Sequence, residues 1–169
     1  MQVFRLFRAF FILAFCMATG VLTTPAQAED IITPNPALWS KIAATLQADF
    51  ECRDRPAGEE FVNVLTVLKI RIPEDEFFSI TLRPPQNFRL FGLQPEILKI
   101  HVGTEGDSTE AFFLLPLPQL TQAARLKKTS DGEYGREEIK RVGGAFWLSA
   151  REETPGKVSL ECTVKNWVE

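Results

Sequence analysis

Apolar residues along this chain follow three rhythms in succession: an unbroken run near the start, a spacing of four, then alternation in twos. The unbroken run, residues 9–17, is too short to cross a bilayer as a helix. Arg5 and Arg8 precede it, and the small residues Ala26 and Ala28 flank Gln27 after it. A basic start, a short apolar middle and an A-x-A end predict a cleavable secretory signal over residues 1–28. Residues 29–169, about 141 in number, are then expected to form a single exported domain, periplasmic or extracellular.

The spacing of four begins at Leu38 and continues through Ile42, Leu46 and Phe50, with Trp39 and Ala43 beside it. It predicts an amphipathic helix that Asn35 caps and Pro36 opens. From Phe61 onward the residues read as a long strand to Ile72, apolar on both faces at first, followed by a hairpin loop over residues 73–76. Phe78, Ile80 and Leu82 alternate with polar neighbours up to the stop at Pro84-Pro85. A short edge strand is expected over residues 88–91, and two more strands over 97–102 and 111–115, separated by a polar turn over 104–109. Residues 116–128 read as a second helix, with Lys127 and Lys128 at its C-terminal end, and 130–138 as a charged loop. Residues 145–150 and 158–164 complete the set, joined by a turn at Gly156. The predicted fold is α+β, a mainly antiparallel sheet of about five to seven strands with an N-terminal helix and one further helix.

Cysteine content sharpens the compartment. Cys16 lies in the expected signal, and Phe15 before it is too large for lipid-attachment processing. Cys52 and Cys162 remain as an even pair, expected to form a disulfide that closes a loop of about 110 residues. No N-x-S/T sequon follows any asparagine, which agrees with a bacterial source.

Charge and composition narrow the partners. The net charge of −3 becomes about −5 without Arg5 and Arg8, which argues against nucleic-acid binding. No later apolar stretch is long enough to predict a membrane span after cleavage. A single histidine, His101, and the absence of C-x-x-C or H-x-x-x-H spacing leave no metal or cofactor to predict. There is no G-x-S-x-G elbow for a nucleophilic serine, and His101 reads as a surface residue near a strand end. Acidic residues gather at 74–76, at Glu105, Asp107 and Glu110, and at Asp131, Glu133, Glu137 and Glu138, where they read as solvated charge.

The segment most suggestive of recognition is residues 83–91, in which Arg83 and Arg89 alternate with Phe88 and Phe91 around a stiff diproline. As a candidate binding loop it requires Phe88 and Phe91 to be exposed. The functional expectation is a small exported, non-catalytic binding or interaction protein whose partner is a protein, a glycan or a lipid. Two alternatives stand beside it: an exported hydrolase with paired carboxylates, and an apolar-ligand carrier suggested by nine phenylalanines after residue 28.

Overall fold

A computed structural model describes residues 30–57, 60–70, 77–103, 107–141 and 144–165, with the backbone alone at 77, 137–141, 144–145 and 165. The predicted loop at 73–76 and the acidic residues 74–76 and Glu105 lie outside the described residues. In chain order the elements are β1 (Ile31–Ile32), α1 (Pro36–Phe50), α2 (Phe61–Leu68), β2 (Phe77–Leu82), β3 (Ile97–Gly103), β4 (Ser108–Phe113), α3 (Leu117–Ala123), β5 (Lys127–Lys128), β6 (Tyr134–Arg141), β7 (Gly144–Thr154) and β8 (Lys157–Lys165).

The fold is α+β, with one mixed eight-stranded sheet in the order β1-β2-β3-β4-β8-β7-β6-β5. Only β1 is parallel to its neighbour; the other pairings are antiparallel. Two meanders meet at the β4–β8 seam, and α3 carries the chain from that seam toward the far edge. Both edge strands, β1 and β5, are two residues long.

Helix α1 begins where Asn35 and Pro36 predict. The Asn35 side chain accepts a hydrogen bond from the Leu38 amide at 3.0 Å, satisfying one of the orphan donors of the first turn. Its buried stripe is Trp39, Ile42, Leu46, Asp49 and Phe50. Alternate strand residues Ile80, Leu82, Leu98, Ile100, Ala111, Phe113, Leu148, Leu160 and Cys162 join the same core, together with Phe61, Val64 and Leu65 of α2 and Leu120 of α3. The helices therefore share one face of the sheet, and the opposite face carries none among the described residues.

Four expectations are corrected. Residues 61–68 are a helix, not the start of a strand: Phe61, Val64, Leu65 and Leu68 recur at i, i+3, i+4 and i+7, and Val62 is left on the solvent side. β-branched side chains gave that segment its strand-like look, and burial against α1 outweighs their weak propensity. Lys69 ends the helix at φ 57°, where its amide bonds the Thr66 carbonyl and the Ile70 amide that of Leu65, a Schellman-type closure. The start of the expected strand, apolar on both faces, is therefore this helix. The second correction is at 88–91, which form no strand. Leu90 and Leu93 exchange both backbone hydrogen bonds at 2.9 Å around Phe91 (φ 51°) and Gly92 (φ 80°), a two-residue turn with both central residues left-handed.

Third, the second helix stops at Ala123, so Lys127 and Lys128 belong to edge strand β5 rather than to a helix end. Fourth, much of the expected charged loop is strand β6, paired with β7.

Cys52 and Cys162 are joined, with Cα atoms 5.5 Å apart, tying the end of α1 to β8 across 110 residues. Both are fully buried. Replacing the pair by alanine is expected to lower unfolding free energy by about 2–4 kcal/mol, read from the urea midpoint at unchanged slope. Mass spectrometry of the non-reduced mature chain should find it two protons lighter than the reduced form.

Candidate functional site

Strand alternation sends a second set of side chains to the helix-free face. On β4 it is Glu110 and Phe112; on β8, Ser159, Glu161 and Thr163; on β7, Trp147, Ser149 and Arg151; on β3, Lys99 and His101. Register then decides which of them meet. Glu110 stands opposite Glu161, Arg151 opposite Ser159, Lys99 opposite Glu110, and His101 between Ser79 and Ser108.

Arg151 organises the centre of this face. Its Nη2 donates to Glu110 Oε1 at 3.0 Å, and its Nε donates to Glu153 Oε1. Ser159 Oγ donates to the same Glu153 oxygen at 2.8 Å. These two hydrogen bonds hold the Glu153 carboxyl below the usual range, the Arg151 bond being the larger cause. Glu161 moves the other way: burial, then the facing Glu110 carboxylate, push it up, while Arg151 and His101 pull against that shift. No hydrogen bond to the Glu161 carboxyl is present among the described residues. The result is one carboxylate locked to a guanidinium beside one that lacks such a lock.

Glu161, Ser159, Arg151 and Ser149 line a notch of about 320 Å³. It opens where β6 begins, beside Gly132, Glu133 and Tyr134, and the β7–β8 hairpin runs on. Ser149 pairs in register with Gly135 of β6. A Cβ at Gly135 would lie 2.4 Å from Cζ2 of Trp147, so the indole fills the room that glycine leaves. Trp147 is half-buried.

The candidate loop at 83–91 lies elsewhere, against α1. Phe88 is only 6% exposed and meets Trp39 edge-on, ring centroids 5.0 Å apart. The expectation that Phe88 is exposed is thereby corrected: it is a plug between loop and helix. Phe91 is half-buried; its amide donates to Glu51 Oε1 at 2.9 Å and the Arg136 guanidinium sits 5.4 Å from its ring centre. Arg89 turns back to donate to the carbonyls of Gln86 and Phe88. Of the four residues, Arg83 and Arg89 are exposed. A shallow apolar groove of about 470 Å³ remains between Pro36, Trp39, Pro85 and Phe88.

His101 is half-buried on the helix-free face, within electrostatic reach of Glu161. Of the acidic groups, Glu110 enters the Arg151 network, Asp107 pairs with Arg55 at 3.4 Å, and Asp131 and Glu133 are exposed. The side chains of Glu137 and Glu138 lie outside the described residues. No group of three or more His, Cys, Asp or Glu suited to a metal occurs among the described residues. Arg151, Trp147 and Glu161 had not been singled out as site residues from the sequence; only the polar alternation of β8 hinted at the last. In comparisons with known proteins, no family model, no curated protein and no solved structure matches the chain.

Proposed function

We propose that this is an exported, non-catalytic binding protein that takes its partner on the helix-free face of the sheet. The observation that carries the reading is the Arg151–Glu110–Glu153–Ser159 network beside the notch. Its polar groups are held in place by one another before any partner arrives, and such preorganisation lowers the ordering cost of binding. Export draws support from the basic, apolar and A-x-A order of the N-terminus and from the Cys52–Cys162 bridge. No helix among the described residues is long and apolar enough to cross a membrane.

Two experiments test this. N-terminal sequencing of the exported protein should begin at Glu29 or within a few residues; a mature chain retaining Met1 would sink the export reading. For binding, the wild-type chain, an Arg151→Ala/Trp147→Ala variant and an Arg83→Ala/Arg89→Ala variant are exposed to fractionated bacterial envelope. Retention that disappears with the first variant and survives in the second supports the sheet face. Retention lost only with the second returns the function to the loop.

A second reading has one specific observation in its favour. Glu110 stands opposite Glu161 on the neighbouring strand, and burial pushes Glu161 toward its protonated form, as the general acid of a carboxyl pair in glycoside hydrolysis needs. It predicts hydrolysis of a saccharide lost on Glu161→Gln, whereas binding without turnover excludes it.

A further inference from the structure

We propose that a cavity of about 310 Å³ over strands β1 to β4 binds a small amphiphilic carboxylate, its apolar body lying on Ile31, Ile97 and Phe112 and its head group met by Lys157, Lys99 and the Thr81 hydroxyl. The cavity is on the helix-free face, beside the Arg151 network rather than within it. The proposal goes beyond the reading above and does not depend on it.

Register builds the floor in two rungs. In the first, Thr81 of β2 stands between Ile31 of β1 and Lys99 of β3. In the second, Ile97 of β3 stands opposite Phe112 of β4. Alternation sends these side chains away from the helices, because their chain neighbours Ile32, Leu82, Leu98 and Phe113 pack on the core side. Lys157, at the start of β8, is the diagonal neighbour of Phe112, whose partner in register is Ser159. Its Nζ lies 5.1 Å from the centre of the Phe112 ring.

Three groups in this cavity point to a ligand. Thr81 is only 3% exposed and its Oγ1 has no hydrogen-bond partner, although buried hydroxyls nearly always have one. A ligand oxygen at the floor would supply it. Of the two residues that flank Thr81 in register, Lys99 has the long flexible stem that can turn toward a ligand. Ile31 is an isoleucine 46% exposed, and with the half-buried Ile97 and Phe112 it gives the cavity an apolar side. Lys157 is exposed and makes no ion pair among the described residues; its contact with the Phe112 ring is of modest strength at an exposed site. The charge balance suits one negative charge. Two lysines and one glutamate, Glu96, line the cavity, and Glu96 also borders the adjoining cavity lined by Arg83. Glu110 stands opposite Lys99, and Glu153 is within electrostatic reach of Lys157, but each is hydrogen-bonded to Arg151. With these carboxylates nearby, a polyanion is repelled and a monoanion is accepted. The volume lies at the lower end of small-ligand sites, about 300–1,000 Å³, and fits a short acyl acid rather than a folded partner.

Titration of the mature chain with octanoate, followed by calorimetry and amide chemical shifts, tests the proposal. Octanol and octyltrimethylammonium present a neutral and a cationic head on the same chain, and vesicles of anionic phospholipid form a further arm. Octanoate should bind at least tenfold tighter than either of the other two, shift amides of β1 to β4, and weaken at high salt. Lys157→Gln, at an exposed position, should weaken octanoate severalfold and leave octanol unchanged. Ile31→Ser should weaken both. Thr81→Val removes the hydroxyl at constant shape. It should weaken octanoate while leaving the urea midpoint unchanged or raised, since an unpartnered buried hydroxyl does not support the fold; a lowered midpoint would assign the hydroxyl to the fold and overturn its part in the site. Octanoate bound no tighter than octanol, or indifferent to Lys157 and Thr81, overturns the proposal. Binding to anionic vesicles without binding of free octanoate overturns it too, and assigns the surface to a membrane. A chain that binds none of these probes likewise overturns it, and leaves the Arg151 reading to the envelope experiment, which alters none of these residues.

Discussion

Truncating Phe88 to alanine is expected to cost about 3–5 kcal/mol of unfolding free energy, in a denaturant melt followed by circular dichroism. The ring is 6% exposed and lies edge-on to Trp39 at 5.0 Å, so its removal empties a site between helix α1 and the diproline loop. Two parts add to that cost. Loss of transfer free energy and the cavity left behind dominate, and the aromatic pair contributes about 0.5–1.5 kcal/mol beyond area. The loop cannot collapse into the gap freely. Arg89 bonds two of its carbonyls, the Phe91 amide is held by Glu51, and Leu90 and Leu93 close a tight turn. Arg83→Ala, at an exposed position of the same loop, is expected to change stability by no more than about 0.5 kcal/mol. A Phe88→Ala protein as stable as wild type would contradict the plug and restore the exposed-loop reading of residues 83–91.

The same segment shows what the sequence could and could not tell. Alternating arginine and phenylalanine is equally compatible with a rim of exposed aromatics and with rings turned inward beneath charged neighbours. Only the distance to Trp39, some fifty positions earlier, separates the two. Helix α1 was legible because its cap, its N1 proline and its stripe are local. Strands β2, β3 and β8 were legible because one face of each is polar and alternation survives. Helix α2 was misread for the opposite reason: with Phe61, Val62, Val64, Leu65, Val67 and Leu68 apolar in eight positions, every period fits, and packing against α1 made the choice. The site was less legible than the fold. Of Glu110, Glu161 and Arg151, only Glu161 falls in an expected strand, on its polar face; Glu110 and Arg151 lie one residue outside the expected strands 111–115 and 145–150. Their meeting depends on β8 returning beside β4 after the α3 crossover, a pairing between residues about fifty apart that no local rule encodes. Gly135 and Trp147 are a further step removed, since their contact depends on register across β6 and β7, which pair through a bulge.

One residue in α1 sits on the buried stripe without being apolar, and it carries the last expected result. Asp49 follows Leu46 by three and Ile42 by seven, and only 4% of it is exposed. Its Oδ2 has no hydrogen-bond partner, and it lies in the last turn of the helix, where the macrodipole opposes negative charge. Burial first, then the charges of Asp54 and Glu60, push its carboxyl up from 3.8 to about 7, against a lowering hydrogen bond from the Ala57 backbone. The folded protein therefore holds a proton that the unfolded chain releases near pH 3.8. In the linkage relation the folded state binds more protons throughout that interval, so stability is greatest at its acid end, falls as pH rises from about 4 to about 7, and is flat in this group above that. A shift of about three pH units corresponds to up to about 4 kcal/mol. Asp49→Asn supplies a neutral side chain of the same shape at every pH. It should match wild type below about pH 3.8 and exceed it by up to about 4 kcal/mol at pH 8, measured as urea midpoints across the range. Glu161 is raised as well and stays in both proteins, so the difference between the two curves isolates position 49. Parallel curves for wild type and Asp49→Asn would show that this carboxyl is ionised in the folded protein and that its surroundings are wetter than its burial implies.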